Sequence, residues 1–249
     1  MSIGGDEMSF WDHLEELRGT IIRSALSILC LSVLAFVFKS FVFDKLVFLP
    51  ANGDFFLYRW LKIPLDFELI NVDVSAQFFT HLRVAFELGL ILSVPYILFE
   101  IWKFIAPALY ENEKKACRGA FMGGGILFYV GVVVGYLLIV PLALQFFLNY
   151  SVSDMVSNTI TLKSYISLFS STILAFGLVF EFPMLVVILS AIGIINRQTL
   201  KKYRKHAFIA VLVVAAIVTP ADPLSMLVAA VPLWLLWELS VLLCKPAAK

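Results

Sequence analysis

The sequence predicts an all-α integral membrane protein with six transmembrane helices, which are kinked and form a concave, glove-like bundle. Hydrophobic residues make up 61% of the 249-residue chain and charged residues only 15%, whereas a soluble domain is about half apolar and about a quarter charged. Apolar runs of about 20 residues, the length that crosses a bilayer, recur along the chain. Prolines stand inside several of these runs and are expected to bend the helices.

We predict a single membrane domain over residues 1–249. It begins with an amphipathic helix within residues 1–20, and the spans that follow cover about 21–38, 78–102, 120–144, 165–192, 207–218 and 224–243. The fifth span is short and is followed by Pro220 and Pro223, so the alternative is a re-entrant hairpin with the sixth segment. We prefer two short spans, which a locally thinned bilayer accommodates.

The distribution of basic residues predicts the orientation. Lysine and arginine are concentrated near both termini and in the loops around residues 103–118 and 197–205, and most loop acids lie on the opposite side. Because basic loops are retained in the cytoplasm, both termini are predicted to be cytoplasmic.

Composition also excludes several function classes. A net charge of +1 gives no indication of nucleic-acid binding. The three cysteines form no C-x-x-C pair and the three histidines are scattered, so we expect no metal site and no cofactor. The sequence contains no Walker-type phosphate loop and no recognisable catalytic triad, so we do not expect an enzyme. The run 123–125 of three glycines is interpreted as a site of close helix packing.

The N-terminal segment carries acids on one face of a predicted helix. Ser9 and Asp12 resemble a capping box, and an apolar stripe follows at helical spacing. Glu15 and Glu16 lie on the opposite face. A solvated face is the alternative interpretation, but acids are repelled by the anionic cytoplasmic leaflet, which indicates another purpose.

A second acidic site lies in the predicted loop after the second span. Glu111 and Glu113 are acids in an otherwise basic loop, beside the interfacial aromatics Trp102 and Tyr110. On charge alone, a balanced surface patch is the favoured interpretation. Two separated carboxylate sites at one membrane face would, however, suit a ligand with adjacent guanidinium groups and an apolar part.

Four ordered motifs resemble the TatC family. They are His13–Arg18 (HLEELR), Phe104–Tyr110 (FIAPALY) with Glu113, Phe176–Pro183 (FGLVFEFP) and Thr219–Asp222 (TPAD). The resemblance covers almost the whole chain. It implies a multi-pass protein of the bacterial cytoplasmic (inner) membrane with a structured first extracytoplasmic loop. The function implied is the receptor of the twin-arginine translocase, which exports folded proteins by using the proton-motive force.

The resemblance also implies partners and site residues. The partners would be twin-arginine signal peptides, single-span proteins of the TatA and TatB type, further copies of the chain, and membrane lipid. Glu16 and Glu113 would pair with the two arginines of the signal peptide, Phe104 would shape an apolar part of the site, and Arg18 would order the local structure.

The other residues that the resemblance singles out lie deeper or on the opposite side. Glu181 would be an intramembrane polar position where partner helices dock, and Pro50, Asp73 and Asp222 would have structural or functional roles on the extracytoplasmic side. A charge inside a span is costly, which by itself favours a functional role for Glu181. The alternative is a neutral carboxyl group that hydrogen-bonds to a carbonyl freed near Pro183.

Two rival functions remain open at this point. A proton-coupled transporter of small molecules or ions would use Glu181, and a membrane protease is the weaker rival. Arg83 and Glu87 are four residues apart and share a helix face, so we interpret them as a structural ion pair.

Overall fold

The computed structural model describes residues 10–53, 55–61, 67–153, 155, 158–220 and 222–244. The long helices are α1 (Phe10–Val37), α3 (Ala76–Ile105), α4 (Glu111–Val134), α6 (Leu162–Val179), α9 (Arg204–Val218) and α10 (Pro223–Leu243), and the shorter ones are α2 (Phe56–Leu61), α5 (Val140–Asn149), α7 (Phe182–Ala191) and α8 (Arg197–Lys202). The predicted capping residue Ser9 lies outside the described residues.

Five helical stretches within the described residues are long and apolar enough to cross a membrane. They are His13–Val37, Ala76–Ile105, Glu113–Asn149, Leu162–Ala191 and Pro223–Leu243. The predicted class, an all-α membrane protein, is therefore confirmed. Helix α9 has only 15 residues, about 22 Å at 1.5 Å per residue, so a sixth crossing stays a prediction.

Helices α1 and α3 form an antiparallel pair with contacts at several points along its length. Ser32 on α1 faces Gly89 on α3 so closely that a Cβ atom on the glycine would lie 2.2 Å from the serine Oγ. Towards the end of α1, the ring of His81 stacks on Phe36 with centroids 4.0 Å apart, and its Nε2 lies 3.1 Å from the Phe36 carbonyl oxygen. The rest of α1 is largely exposed, as a helix facing lipid would be.

Helix α4 packs against α6 and α7 through glycines. A Cβ atom on Gly131 would lie 2.5 Å from the carbonyl oxygen of Phe176, and one on Gly124 would lie 2.6 Å from the Sδ atom of Met184. Gly123, by contrast, faces open space. The predicted packing role of the glycine run therefore belongs to Gly124, because only close approach of a neighbouring helix requires the missing side chain.

The four prolines predicted to bend spans fall into two groups. Pro95 and Pro232 lie inside the uninterrupted helices α3 and α10. Pro141 follows a π-helical segment at Gly135–Ile139, and Pro183 follows the break between α6 and α7. At the latter two positions the missing proline N–H coincides with a change in the helical hydrogen-bond pattern.

The segment between α1 and α3 is structured, as expected. It contains a π-helical turn (Phe41–Val47), a 3-10 turn (Leu49–Ala51), α2, and the strand β1 (Leu69–Ile70). Strand β1 pairs in parallel with β2 (Ile160–Thr161), which precedes α6. This pairing joins two loops that are about 90 residues apart in sequence.

Two tyrosine hydroxyls of the helix bundle also form hydrogen bonds to this segment. Tyr136 donates a hydrogen bond to the Leu46 carbonyl oxygen at 2.8 Å, and Tyr165 donates to that of Val47. Because buried backbone carbonyls need donors, these bonds satisfy the irregular backbone where it lies against the bundle.

Candidate functional site

The N-terminal part of α1 lies against the C-terminal end of α3. The His13 imidazole stacks on the Phe104 ring, with centroids 4.4 Å apart and an interplanar angle of 24°. The contact joins residues 91 positions apart in sequence. It brings the acidic N-terminal segment next to the predicted aromatic residue of the site.

Glu16 and Arg18 follow His13 on the same helix. Glu16 is three residues after His13, so their side chains are neighbours on the helix surface. The Glu16 side chain is half-buried, and that of Arg18 is exposed. The stack between His13 and Phe104 therefore brings the part of α1 that carries Glu16 to the end of α3, and the membership of Glu16 and Arg18 in one site with Phe104 stays a prediction.

Glu113 lies in the first turn of α4, shortly after Phe104. Its Oε2 accepts a hydrogen bond from the Tyr110 N–H at 3.2 Å, and its own N–H donates to the Tyr110 carbonyl oxygen at 2.8 Å. This is the carboxylate half of a capping box. A carboxylate has about four acceptor positions, so capping leaves Glu113 able to accept from a guanidinium group.

A family model described as TatC, Sec-independent protein translocase protein, matches residues 12–232. The chain belongs to the TatC family. It is therefore a component of a Sec-independent protein translocase, and the match gives no support to a small-molecule transporter.

Curated relatives and solved structures agree with this assignment. The TatC protein of Blattabacterium sp. subsp. Periplaneta americana (strain BPLAN) is 36% identical, over 95% of this chain and 94% of its own. That of Escherichia coli (strain K12) is 31% identical, over 92% of this chain and 85% of its own. A crystal structure of a TatC described as a twin arginine translocase receptor is 31% identical, has a TM-score of 0.72, and covers 93% of this chain and 97% of that one.

Glu181 lies apart from the other site residues, at the break between α6 and α7. A Cβ atom on Gly124 would lie 2.6 Å from its Oε2, so the carboxyl group packs against the middle of α4. Gly124 is 11 residues after Glu113 on α4, about 16 Å along the helix axis. The FGLVFEFP motif thus lies apart from the place where the HLEELR and FIAPALY motifs meet.

The surroundings of Glu181 are unusual for a carboxyl group. Its side chain is 9% exposed, and neither oxygen has a hydrogen-bond partner among the described residues. The alternative of a hydrogen bond to a carbonyl freed near Pro183 is therefore wrong for this structure. An unpartnered buried carboxyl group is costly, and such groups need an explanation beyond packing.

Pro50 and Asp73 lie in the segment between α1 and α3, and no contact places them in one site. Pro50 is buried, and its carbonyl oxygen accepts a hydrogen bond from the Tyr58 hydroxyl at 2.8 Å. Burial raises the pKa of the Tyr58 hydroxyl well above its usual range. Asp73 is exposed, and its carbonyl oxygen accepts from the Ala76 N–H at 3.1 Å at the start of α3.

Asp222 caps the last helix. It is 2% exposed, and its Oδ1 accepts a hydrogen bond from the Ser225 N–H at 2.6 Å. The carboxylate satisfies an N–H that the helix itself leaves free, and its charge complements the helix dipole. Asp222 therefore has a structural reason to be present, whatever further role it has.

Replacing Asp222 by alanine should destabilise the protein, and replacing it by asparagine should not. Loss of an N-cap costs about 1 kcal/mol, and asparagine retains the accepting oxygen. Thermal unfolding of the purified variants in detergent measures the difference. Equal stability of the two variants would show that the cap contributes nothing.

Three ion pairs lie within the described residues. The predicted pair is present, since Arg83 Nε donates to Glu87 Oε1 at 2.7 Å. Sequence analysis missed the other two: Arg23 with Glu100, between α1 and α3, and Arg204 with Glu238, between α9 and α10. Their signal was available, because charged residues inside apolar helices are expected to pair with one another. His13 was also missed as a contact residue, although it stands in the HLEELR motif.

Proposed function

We propose that this chain is the receptor of a twin-arginine translocase and that it binds twin-arginine signal peptides of folded cargo proteins. One contact carries the proposal: His13 of the HLEELR motif stacks on Phe104 of the FIAPALY motif, at the C-terminal end of α3. The family assignment and the receptor described for the crystal structure that it resembles support it.

Recognition would rest on two carboxylates. Glu16 on α1 and Glu113 at the start of α4 would each bind one of the two adjacent guanidinium groups of the peptide. Guanidinium groups bind carboxylates through two parallel hydrogen bonds, which an ammonium group does not match. The stacked rings of Phe104 and His13 would provide an aromatic surface suited to an apolar residue of the peptide.

The proposal includes the orientation. Both termini would be cytoplasmic, because the loops on that side carry most of the lysine and arginine. The two carboxylates would then face the compartment in which a signal peptide arrives, and Pro50, Asp73 and Asp222 would lie on the opposite side. Thiol labelling of cysteines introduced at positions 16 and 113 tests this, and labelling from outside the cell would contradict the proposal.

Peptide binding to the purified protein tests the function. We expect a fluorescent twin-arginine signal peptide to bind the protein in nanodiscs and a twin-lysine version of the same peptide to bind at least tenfold more weakly, about 1.4 kcal/mol. A photo-crosslinker at position 104 should label the arginine-containing part of the peptide. Equal affinity for both peptides, or crosslinking only elsewhere, would refute the assignment.

Glu181 would serve partner docking. Single-span proteins of the TatA and TatB type, and further copies of the chain, are the partners that the family assignment suggests. A partner helix with a polar residue at this depth could supply the hydrogen bonds that the described residues do not provide to Glu181.

Replacing Glu181 by methionine is therefore expected to stabilise the isolated protein while weakening partner assembly. The unpartnered carboxyl group costs free energy, and methionine of similar length removes that cost. Thermal unfolding of the isolated chain and co-purification with TatA- and TatB-type partners measure the two effects. A destabilised chain, or unchanged partner recovery, would contradict the docking role. Leu185→Met, on the exposed side of α7, is the matched control.

A further inference from the structure

A buried ion pair joins α1 and α3 close to the proposed peptide site. The Nε of Arg23 donates a hydrogen bond to Oε2 of Glu100 at 2.6 Å. The Glu100 side chain is only 5% exposed and that of Arg23 is 40% exposed. The Nη2 of Arg23 also donates to the Thr20 hydroxyl at 3.3 Å.

Burying the Glu100 carboxylate costs free energy unless Arg23 is held in a definite position opposite it. A carboxylate removed from water must be compensated by a cation and by hydrogen bonds, and a buried pair adds little net stability over an apolar contact. What such a pair provides is register, because sliding one helix along the other separates the two charges. Glu100 has no comparable way to reach water, so it depends on Arg23 being opposite.

The ion pair lies next to the proposed peptide site on both helices, so the register of α1 against α3 bears on that site. Arg23 follows Glu16 by seven residues, two helical turns, so both side chains are on nearly the same face of α1. Glu100 precedes Phe104 by four residues, about one turn of α3. The ion pair and the stack of His13 on Phe104 are therefore neighbouring contacts between the same faces of α1 and α3.

We propose that Arg23 and Glu100 are positioning residues of the peptide site: their ion pair holds α1 in register with α3, so that the N-terminal part of α1, which carries His13 and Glu16, stays against the end of α3 that carries Phe104. The inference rests on the proposed function, because it assigns these residues a role at that site. It also explains how a cation can stand near a site for arginines. The Arg23 guanidinium is occupied by Glu100, and Glu100 in turn does not compete for the arginines of the peptide.

Three variants test the proposal by their order of effect on peptide affinity. Arg23→Gln should weaken binding of the twin-arginine peptide by about tenfold or more, ~1.4 kcal/mol, because it leaves Glu100 buried and unpaired. Glu100→Gln should have a smaller effect, since Arg23 can turn towards solvent. The double variant Arg23→Gln with Glu100→Gln should bind more tightly than Arg23→Gln alone, because two neutral amides can hydrogen-bond across the same gap.

The direction in which Arg23→Gln changes the peptide affinity distinguishes a positioning role of Arg23 from a direct charge effect on the peptide. If Arg23 acted on the peptide by its charge, removing that charge would remove repulsion and strengthen binding. Unchanged or tighter binding by Arg23→Gln therefore overturns the proposal. The matched control is Arg204→Gln, which breaks the ion pair between α9 and α10 and should leave the affinity unchanged; an equal loss in this variant would also overturn it.

Hydrogen exchange provides a readout that does not involve the peptide. In Arg23→Gln, backbone amides of residues 10–19 should exchange faster than in the unmodified protein, and the double variant should reverse much of this change. Unchanged exchange in this segment would show that the ion pair does not hold the N-terminal part of α1 against α3. If the unmodified protein failed to distinguish twin-arginine from twin-lysine peptides, the proposed function would fail, while the exchange result would still decide whether the pair holds α1.

Discussion

Replacing both Glu16 and Glu113 by glutamine is expected to abolish measurable binding of a twin-arginine signal peptide. A hydrogen bond to a charged group contributes about 1.5–3 kcal/mol, so loss of both carboxylates should weaken binding by on the order of 100-fold or more. Glutamine is the informative substitution because it can still accept the hydrogen bond from the Tyr110 N–H that caps α4. The helix start is then preserved, and the loss of affinity reports the loss of charge.

Glu15→Gln is the matched control for this experiment. Glu15 is exposed on the same helix, directly before Glu16, and its replacement removes one negative charge, as each of the two substitutions does, without touching the proposed site. Its affinity for the peptide should remain within about twofold of the unmodified protein, ~0.4 kcal/mol. Unchanged affinity in the double variant, or an equal loss in Glu15→Gln, would remove the two carboxylates from the site.

Replacing Gly131 by alanine is expected to destabilise the bundle strongly. The new Cβ atom would lie 2.5 Å from the Phe176 carbonyl oxygen and 2.7 Å from Cγ of Phe180. A backbone oxygen inside α6 cannot move without displacing the helix, so α4 and α6 must separate. Overpacking of this kind costs about 1–3 kcal/mol, and a lower midpoint of thermal unfolding in detergent measures it.

Gly123→Ala on the same helix is the control. Apart from the backbone of its own helical turns, no atom of the described residues lies within 4 Å of the position its Cβ would take, and alanine is the better helix former. This variant should be as stable as the unmodified protein or slightly more so. If Gly131→Ala unfolded at the same temperature as Gly123→Ala, the close contact of α4 with α6 would be disproved.

The membrane class could be predicted because it depends on local sequence, whereas only two of the four prolines predicted to bend spans, Pro141 and Pro183, lie next to an interruption of a helix. Apolar runs of sufficient length predict spans whatever the neighbours are, and Pro183 marks the end of α6 because it lacks an N–H. The i,i+4 pair of Arg83 and Glu87 is local in the same sense. The interruption at the π-helical segment before Pro141 was expected only as a kink.

The contacts between distant residues could not be predicted in this way. His13 and Phe104 are 91 positions apart, and Arg23 and Glu100 are 77 positions apart. Neither hydrophobic periodicity nor charge shows which helices pack together, because lipid-facing and helix-facing apolar residues look alike in a bilayer. The motif residues were identified through the family resemblance, but their assignment to one site depends on which helices meet.

The sequence by itself determined that the chain is a helical membrane protein, that acids stand at two points of one predicted membrane face, and that its motifs are those of the TatC family. Only the tertiary structure decided that the N-terminal segment lies against the end of α3, that Glu181 is buried without a partner among the described residues, and that an unpredicted ion pair joins α1 to α3. The physical reason is that helix formation depends on neighbours three and four residues away, whereas pairing of helices depends on shape and charge between segments that the chain connects only at long range.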